Sequence, residues 1–241
     1  MKNLILSVSF LFFLTGCSSL EVEPLSSSGE EAERILALGL SHEESLKEAR
    51  KIDSAHKSAV VIGLLKQAEN DKIQSQIDMA ESAKYSESVQ ISNNNSMFTA
   101  QEVVNSKTVG LLLKPDVEKY FIQGVKDLSS GEIKHEMYIS IGYTSTEKRV
   151  YSSANLCDKW QGCSDGEEIK LRLVSNSASN CTSDFCDYLE EMKLELSDSL
   201  LKSGLKEGIT VRFNSKKEKN KISIPSFYLV GYLDSINKNA N

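Results

Sequence analysis

From Gly131 onward the apolar residues fall at every second position, and that period constrains the fold more than anything else in the chain. Met137, Ile139, Ile141 and Tyr143 share one parity, and Ile169, Leu171 and Leu173 repeat it with Glu168, Lys170 and Arg172 between them. Met192, Leu194 and Leu196 alternate with Glu191, Lys193 and Glu195, and Ile209, Val211 and Phe213 alternate with Thr210 and Arg212. Successive side chains of a strand point to opposite faces, so each segment predicts a strand with one buried and one wet side. With Arg149 to Tyr151 and Lys221 to Ile224 added, about six short strands emerge. They predict an antiparallel sheet with one solvated face, or two such sheets packed as a sandwich. Ser197 is placed to cap a short helical turn over 198–202, and "IPSFYLVGYLDSIN" reads as a helix starting at Pro225.

Upstream the period is different. No proline stands between Pro24 and Pro115, and residues 41–85 are dense in Ala, Glu, Lys, Gln and Leu, all good helix formers. Ser41 and Glu44 have the spacing of a capping box, which predicts a helix from about His42; Gly39 separates it from a shorter one over 30–38. Unbroken to residue 85, that helix would be roughly 65 Å long. A heptad started at Ile52 places Ala55, Ala59, Ile62, Ile73, Ala80 and Ala83 on one seam, weakened by Lys66, Glu69 and Gln76 and widened by Leu65, Ala68 and Ile77. Such a side has to be covered, by packing within the chain, by self-association or by a partner's helix. "SNNNS" at 92–96 reads as a polar loop, and two further helical pieces are expected on either side of Pro115, although Val103, Val104, Thr108 and Val109 also suit a strand. The fold class expected is therefore α+β: an N-terminal long helix or helical hairpin, then a C-terminal antiparallel, sandwich-like β domain ending in a helix.

The amino terminus reads as an export signal. Lys2 precedes an apolar run from Leu4 to Leu14 that is too short to span a membrane, with Gly16 just before Cys17. Leu14-Thr15-Gly16-Cys17 resembles the lipobox of bacterial lipoproteins. That resemblance implies cleavage before Cys17, a diacylglycerol and palmitate anchor on this residue and, with Ser18 rather than Asp next to it, residence on the outer membrane facing the periplasm. More than one acyl chain is what makes such an anchor stable. The organisation expected is then a signal peptide over 1–16, a lipidated tether over 17–29, a helical, coiled-coil-like region over 30–91, and an α+β domain over 97–241 that is β-rich from about 132. The last stretch, a cysteine pair followed by an amphipathic strand and "ISIPSFYLVGYL", is similar to the ending of proteobacterial envelope proteins of unassigned function.

Removing residues 1–16 takes away Lys2 and no acid, leaving 27 basic against 34 acidic residues and a net charge of −7. Nucleic-acid binding needs clustered cations to neutralise phosphates, so this balance argues against it. Cys157, Cys163, Cys181 and Cys186 form an even set, read as two disulfides in an oxidising compartment, with local pairing preferred. Their spacings and the lack of a nearby His do not suit zinc, and no metal or cofactor beyond the lipid is expected. His42, His56 and His135 fall in no metalloprotease motif. Ser54 with Lys57 and Ser145 with Lys148 match Ser-x-x-Lys, but the companion elements of a penicillin-binding enzyme are absent. No catalytic motif is found. Candidate contact residues are Trp160, between the first two cysteines, and Lys216, Lys217 and Lys219 in "NSKKEKNK", a hairpin tip whose lysines either touch an anionic surface or simply guard a strand edge. The function expected is a non-enzymatic scaffold or accessory lipoprotein of the envelope, partnered through its helices or β domain; the alternative is a periplasmic module binding glycan, lipid or peptide.

Overall fold

The computed structural model describes residues 25–92, 94–107, 116–157, 163, 168–216 and 218–240. They divide into two compact units, with the boundary between Ile73 and Gln74.

The first unit holds α1 (Leu25–Ala37), α2 (His42–Ala49) and the beginning of α3 (Ala55–Ser88). The Ser41 capping box is present, with Glu44 N–H donating to the Ser41 hydroxyl and the Glu44 carboxylate accepting from Ser41 N–H. Ala32, Ile35, Ala49, Val61 and Leu65 form a small core, flanked by Leu46, Ile52 and Ile62. Three expectations need correction. The helix predicted from His42 to about 85 is broken after Ala49, because Ser54 accepts from Lys57 N–H and starts a new helix, while Ser58 Oγ donates to Ala49 O at 2.8 Å and pins the corner. Helix α1 begins at Leu25, inside the stretch expected to be tether. The buried line of α3 in this unit is Val61 and Leu65 rather than the seam counted from Ile52, and Asn70 to Ile77 are exposed.

The second unit is built on two antiparallel sheets. The larger contains β1 (Gln90–Ser92), β2 (Met97–Thr99), β3 (Val103–Lys107), β4 (Asp116–Lys126), β5 (Ile133–Ser145), β8 (Leu171–Ser179) and β9 (Cys186–Leu196), in the order β1-β2-β4-β5-β9-β8, with β3 beside β2 on the same edge of β4. The smaller runs β11-β10-β6-β7, from β6 (Ser153–Leu156), β7 (Glu168–Ile169), β10 (Ile209–Asn214) and β11 (Lys219–Ile224). Helix α4 (Asp198–Ser203) has Ser197 as its cap, and α5 (Ser226–Asn239) starts after Pro225, both as the sequence predicts.

The two pieces expected to be helical around Pro115 are strands β3 and β4. Strand β4 does alternate, but its inward positions are Asp116, Glu118, Tyr120, Ile122 and Gly124, so the inward period is not an apolar one. Arg149 to Tyr151 is a loop, with Val150 at φ +56, and the run Ile169 to Leu173 breaks at Lys170 into strands of different sheets.

The inward face of the large sheet is covered in two parts. Towards Asp116 its neighbour is β11, through Asn220 Nδ2 donating to Glu118 Oε1 at 2.9 Å. Towards Gly124 it is α5. The Tyr228 hydroxyl accepts from Ile122 N–H at 3.2 Å and donates to Gln101 O at 3.0 Å, completing the ladder where β2 has ended and β3 has not begun. The Tyr232 hydroxyl lies 2.8 Å from His135 Nδ1, and a Cβ on Gly124 would come within 2.6 Å of it, so only glycine leaves room there. Buried residues of both sheets and of α5 form one core.

Burial lowers the pKa of His135 from its ordinary 6.5, against a smaller opposing pull from Asp198. A depressed folded pKa means stability is complete above the unfolded value and is lost as pH falls towards the folded one. The native chain is therefore expected to lose denaturation midpoint on going from about pH 6.5 to about pH 5, and His135→Asn, which keeps an acceptor for Tyr232, to flatten that loss. An unchanged slope in the variant would contradict this assignment.

Candidate functional site

The outward face of the large sheet carries an open groove, and strand register explains why it is there. On β5, Tyr138 lies between Phe121 and Lys193, and Ser140 between Lys119 and Glu191; Gly142 lies between Val117 and Leu189. The small residues Ser140 and Gly142 leave a depression between taller rows. The groove has a volume of about 380 Å³ and is lined by Glu102, Lys119, Phe121, Tyr138, Ser140, Val174, Leu189 and Glu191.

One wall is aromatic. The Phe121 and Tyr138 rings stack with centroids 4.9 Å apart and planes at 2°, and Lys193 Nζ lies 5.3 Å from the Tyr138 centroid. Burial raises the Tyr138 pKa, helped by its hydrogen bond to Glu136. Charges of both signs surround the rings: Lys119 pairs with Glu102 at 3.3 Å and Lys193 with Glu136 at 2.6 Å. Val104, Val125 and Leu189 extend the face with exposures of 56, 47 and 39%. An aromatic ridge in a charge-balanced frame suits an extended peptide or a protein surface better than a strongly charged ligand.

Behind the Gly142 end of the groove, on the inward face, is a buried polar network. Arg149 grips Asp116 with Nη1 to Oδ2 at 2.5 Å and Nη2 to Oδ1 at 3.2 Å, and its guanidinium lies 4.1 Å over the Tyr143 ring. Burial works most strongly against the charged form, but Asp116 and Tyr151 together outweigh it and hold the Arg149 pKa above its usual range. The Tyr143 hydroxyl donates to Glu190 Oε1 at 2.5 Å and accepts from Arg149 N–H at 2.7 Å; burial first, then this bond to Glu190, raises its pKa. Glu190 also accepts from Val150 N–H at 3.0 Å and Tyr151 N–H at 3.2 Å, fixing the left-handed Val150. Tyr151, pushed up to about 12 by burial, donates onward to Asn220. The network locks β4, β5 and β9 in register with the loop between β5 and β6, which makes the outward rows rigid as well.

The residues singled out from sequence are scattered. Cys157 bonds Cys163 and Cys181 bonds Cys186, the expected local pairs, each with Cα atoms 4.0 Å apart. Cys181 and Cys186 close the β8–β9 hairpin, on which Phe185 is exposed. Lys216 and Lys219 are exposed at the β10–β11 turn; Cys17, Trp160 and Lys217 lie outside the described residues. Ser54 caps α3, and Lys148 Nζ donates to Asn176, so the two Ser-x-x-Lys matches have structural partners. Of the contact candidates from sequence, Lys216 and Lys219 do not line the groove. Replacing Cys181 and Cys186 by serine is expected to lower stability by about 2 kcal/mol, the loop-closure value for so short a loop. An unchanged urea midpoint would show that the hairpin needs no staple.

Comparison with family models, with curated proteins and with solved structures finds no match to this chain.

Proposed function

We propose that this chain is a lipid-anchored protein of the bacterial outer membrane, non-enzymatic, whose β-rich unit docks a partner protein on the open face of its seven-stranded sheet. The observation that carries this reading is the Phe121–Tyr138 ridge with Val104, Val125 and Leu189 around it, an apolar and aromatic surface left exposed among the described residues of this unit. The anchor rests on Leu14-Thr15-Gly16-Cys17, and the two disulfides agree with an oxidising compartment. A second reading, a small module for glycan, lipid or peptide, draws support from the groove volume of about 380 Å³, which falls within the range of ligand pockets.

Ser140→Arg tests the docking surface, since it fills the groove floor from an outward position and leaves the core untouched. Purified from its own membrane, the native chain should bring one stoichiometric partner that the variant loses while keeping its melting temperature. Equal recovery of the partner would refute the assignment, and a small molecule released from the native chain alone would favour the second reading. Mass determination of the N-terminal peptide tests the anchor separately.

A further inference from the structure

Strand β8 ends the larger sheet and stands clear of the core. By register Leu173 lies opposite Met192, Asn176 opposite Glu190 and Ala178 opposite Tyr188, so these three share the inward face. Met192 and Glu190 are buried, yet every residue of β8 from Arg172 to Ser179 is exposed, whichever face it is on. The core therefore stops at β9, and among the described residues β8 pairs with β9 alone. Its other edge presents a row of main-chain N–H and C=O groups whose natural complement is a further strand. That edge carries few of the devices that keep strands apart. Residues 171–179 contain no Pro, Lys or acid, and Arg172 is their single charge. A bulge between Leu173 and Ser175 interrupts the strand once, leaving 175–179 as a regular segment of small uncharged residues.

From this geometry we infer that β8 pairs antiparallel with β8 of a second copy of this chain, joining two large sheets into one across a twofold axis at Ser177. The bulge selects the register. It changes the alternation, so that Leu173 is inward and Ser175, two residues on, is outward. A pairing about Ser177 sets all five residues 175–179 against residues of their own face, Ser175 with Ser179, Asn176 with Ala178 and Ser177 with itself, and no like charges meet. What lies beyond this segment favours a second copy over another chain. The axis brings the start of one strand to the end of the other, and those ends match. Leu173 and Val174, exposed at 47 and 53%, approach the turn that carries Phe185, exposed at 41%, and Arg172 approaches the exposed Asp184 of the same turn. Each match occurs twice, as an isologous contact requires. The contact is too small for a permanent dimer, so association is weak and reversible. In the pair the outward faces of both large sheets form one surface with two grooves; the dimer goes beyond the partner-docking reading and does not depend on it.

Single cysteines in the full chain, oxidised in intact cells with copper phenanthroline, test the register. Ser177→Cys should give a disulfide-linked dimer by itself, since residues facing each other across the axis have Cα atoms about 5 Å apart. Ser175→Cys and Ser179→Cys should each crosslink weakly alone and strongly when the two variants are expressed together. The native chain, in which Cys157, Cys163, Cys181 and Cys186 are already paired, is the control. Sedimentation of the purified native chain in a non-ionic detergent should show monomer passing to dimer as concentration rises. Ser177→Lys sets two ammonium groups face to face on the axis without touching the core; it should weaken dimerisation about fivefold at an unchanged melting temperature. Phe185→Ser, in the exposed turn, should weaken it too and repeats the test should the strand variant fold poorly. A chain still monomeric at about 1 mM, a dimer that neither variant weakens, or Ser175→Cys linking to itself as readily as to Ser179→Cys would overturn the inference. So would a crosslink from Ser177→Cys to a different protein with none to a second copy, which would give the edge to a partner's strand. Ser140→Arg should leave the dimer unaffected, so failure of the groove assignment and failure of this one are distinguishable.

Discussion

Asp116→Ala is expected to destabilise the second unit by about 3–5 kcal/mol, the cost of leaving a buried charge without its partner. Asp116 and Arg149 retain only 6 and 10% of their side-chain exposure, and the grip between them is bidentate. With the carboxylate gone, the guanidinium has, among the described residues, the Tyr151 hydroxyl and the Tyr143 ring to face, neither of which carries a full charge. Removing both charges is a different matter. Asp116→Leu with Arg149→Met should cost far less than the single change, because a buried ion pair roughly balances its own desolvation. Urea denaturation of the two variants measures the contrast; equal losses would mean that the pair is solvated and that the network does not hold the sheet in register.

Gly231→Ala is the second large effect. Glycine is normally worth about 1 kcal/mol less than alanine inside a helix, so on propensity alone the change in α5 would stabilise. Packing decides otherwise. A Cβ at 231 would stand 2.4 Å from Ser82 O, 2.8 Å from Tyr85 Cβ and 2.9 Å from Ser86 N, and two of those three atoms are backbone that cannot rotate away. The last turns of α3 and α5 therefore have to part. Doing so loosens the Tyr85 contacts with Phe227 and Tyr228 and the Ser86 to Asp234 hydrogen bond of 2.9 Å. A net loss of about 2–3 kcal/mol is expected, typical of overpacking. Faster amide exchange across residues 80–88 should accompany it. A rise in melting temperature would show that the helices adjust and that propensity wins.

These two sites also mark where the sequence was legible and where it was not. Strands β5, β9, β10 and β11 and helix α5 could be read directly, since their inward residues are apolar and their outward ones polar. Strand β4 could not. Its inward face bears Asp116 and Glu118, which are buried because Arg149 and Asn220 reach them from loops and strands distant in sequence. The break before α3 was readable in principle, from Ser54 preceding a helical run, but the helix formers on both sides obscured it. Strand β6 was misplaced because its buried residue is the small Ala154 rather than a large apolar one. The groove was out of reach for a further reason. Phe121 and Tyr138 meet only through the β4–β5 register, and the same register puts the small Ser140 between Lys119 and Glu191. The pairing of the cysteines was easier, because loops of five and six residues leave little geometric choice.

The open face of the large sheet carries the partner-docking proposal. The exposed middle of α3, with Ile73 and Ile77 open to solvent, is the rival surface for a protein partner. A photocrosslinking scan in intact cells separates these surfaces in one experiment. A crosslinker is placed in turn at Val104, Tyr138 and Leu189 on the large sheet, at Thr210 and Ser223 on the small sheet, and at Ile73 and Ile77 on α3. One and the same protein adduct is expected from the three large-sheet positions, and Thr210 and Ser223 on the small sheet should not give it. Protein adducts confined to Ile73 and Ile77, with none from the large sheet, would contradict it and make the helix the docking surface.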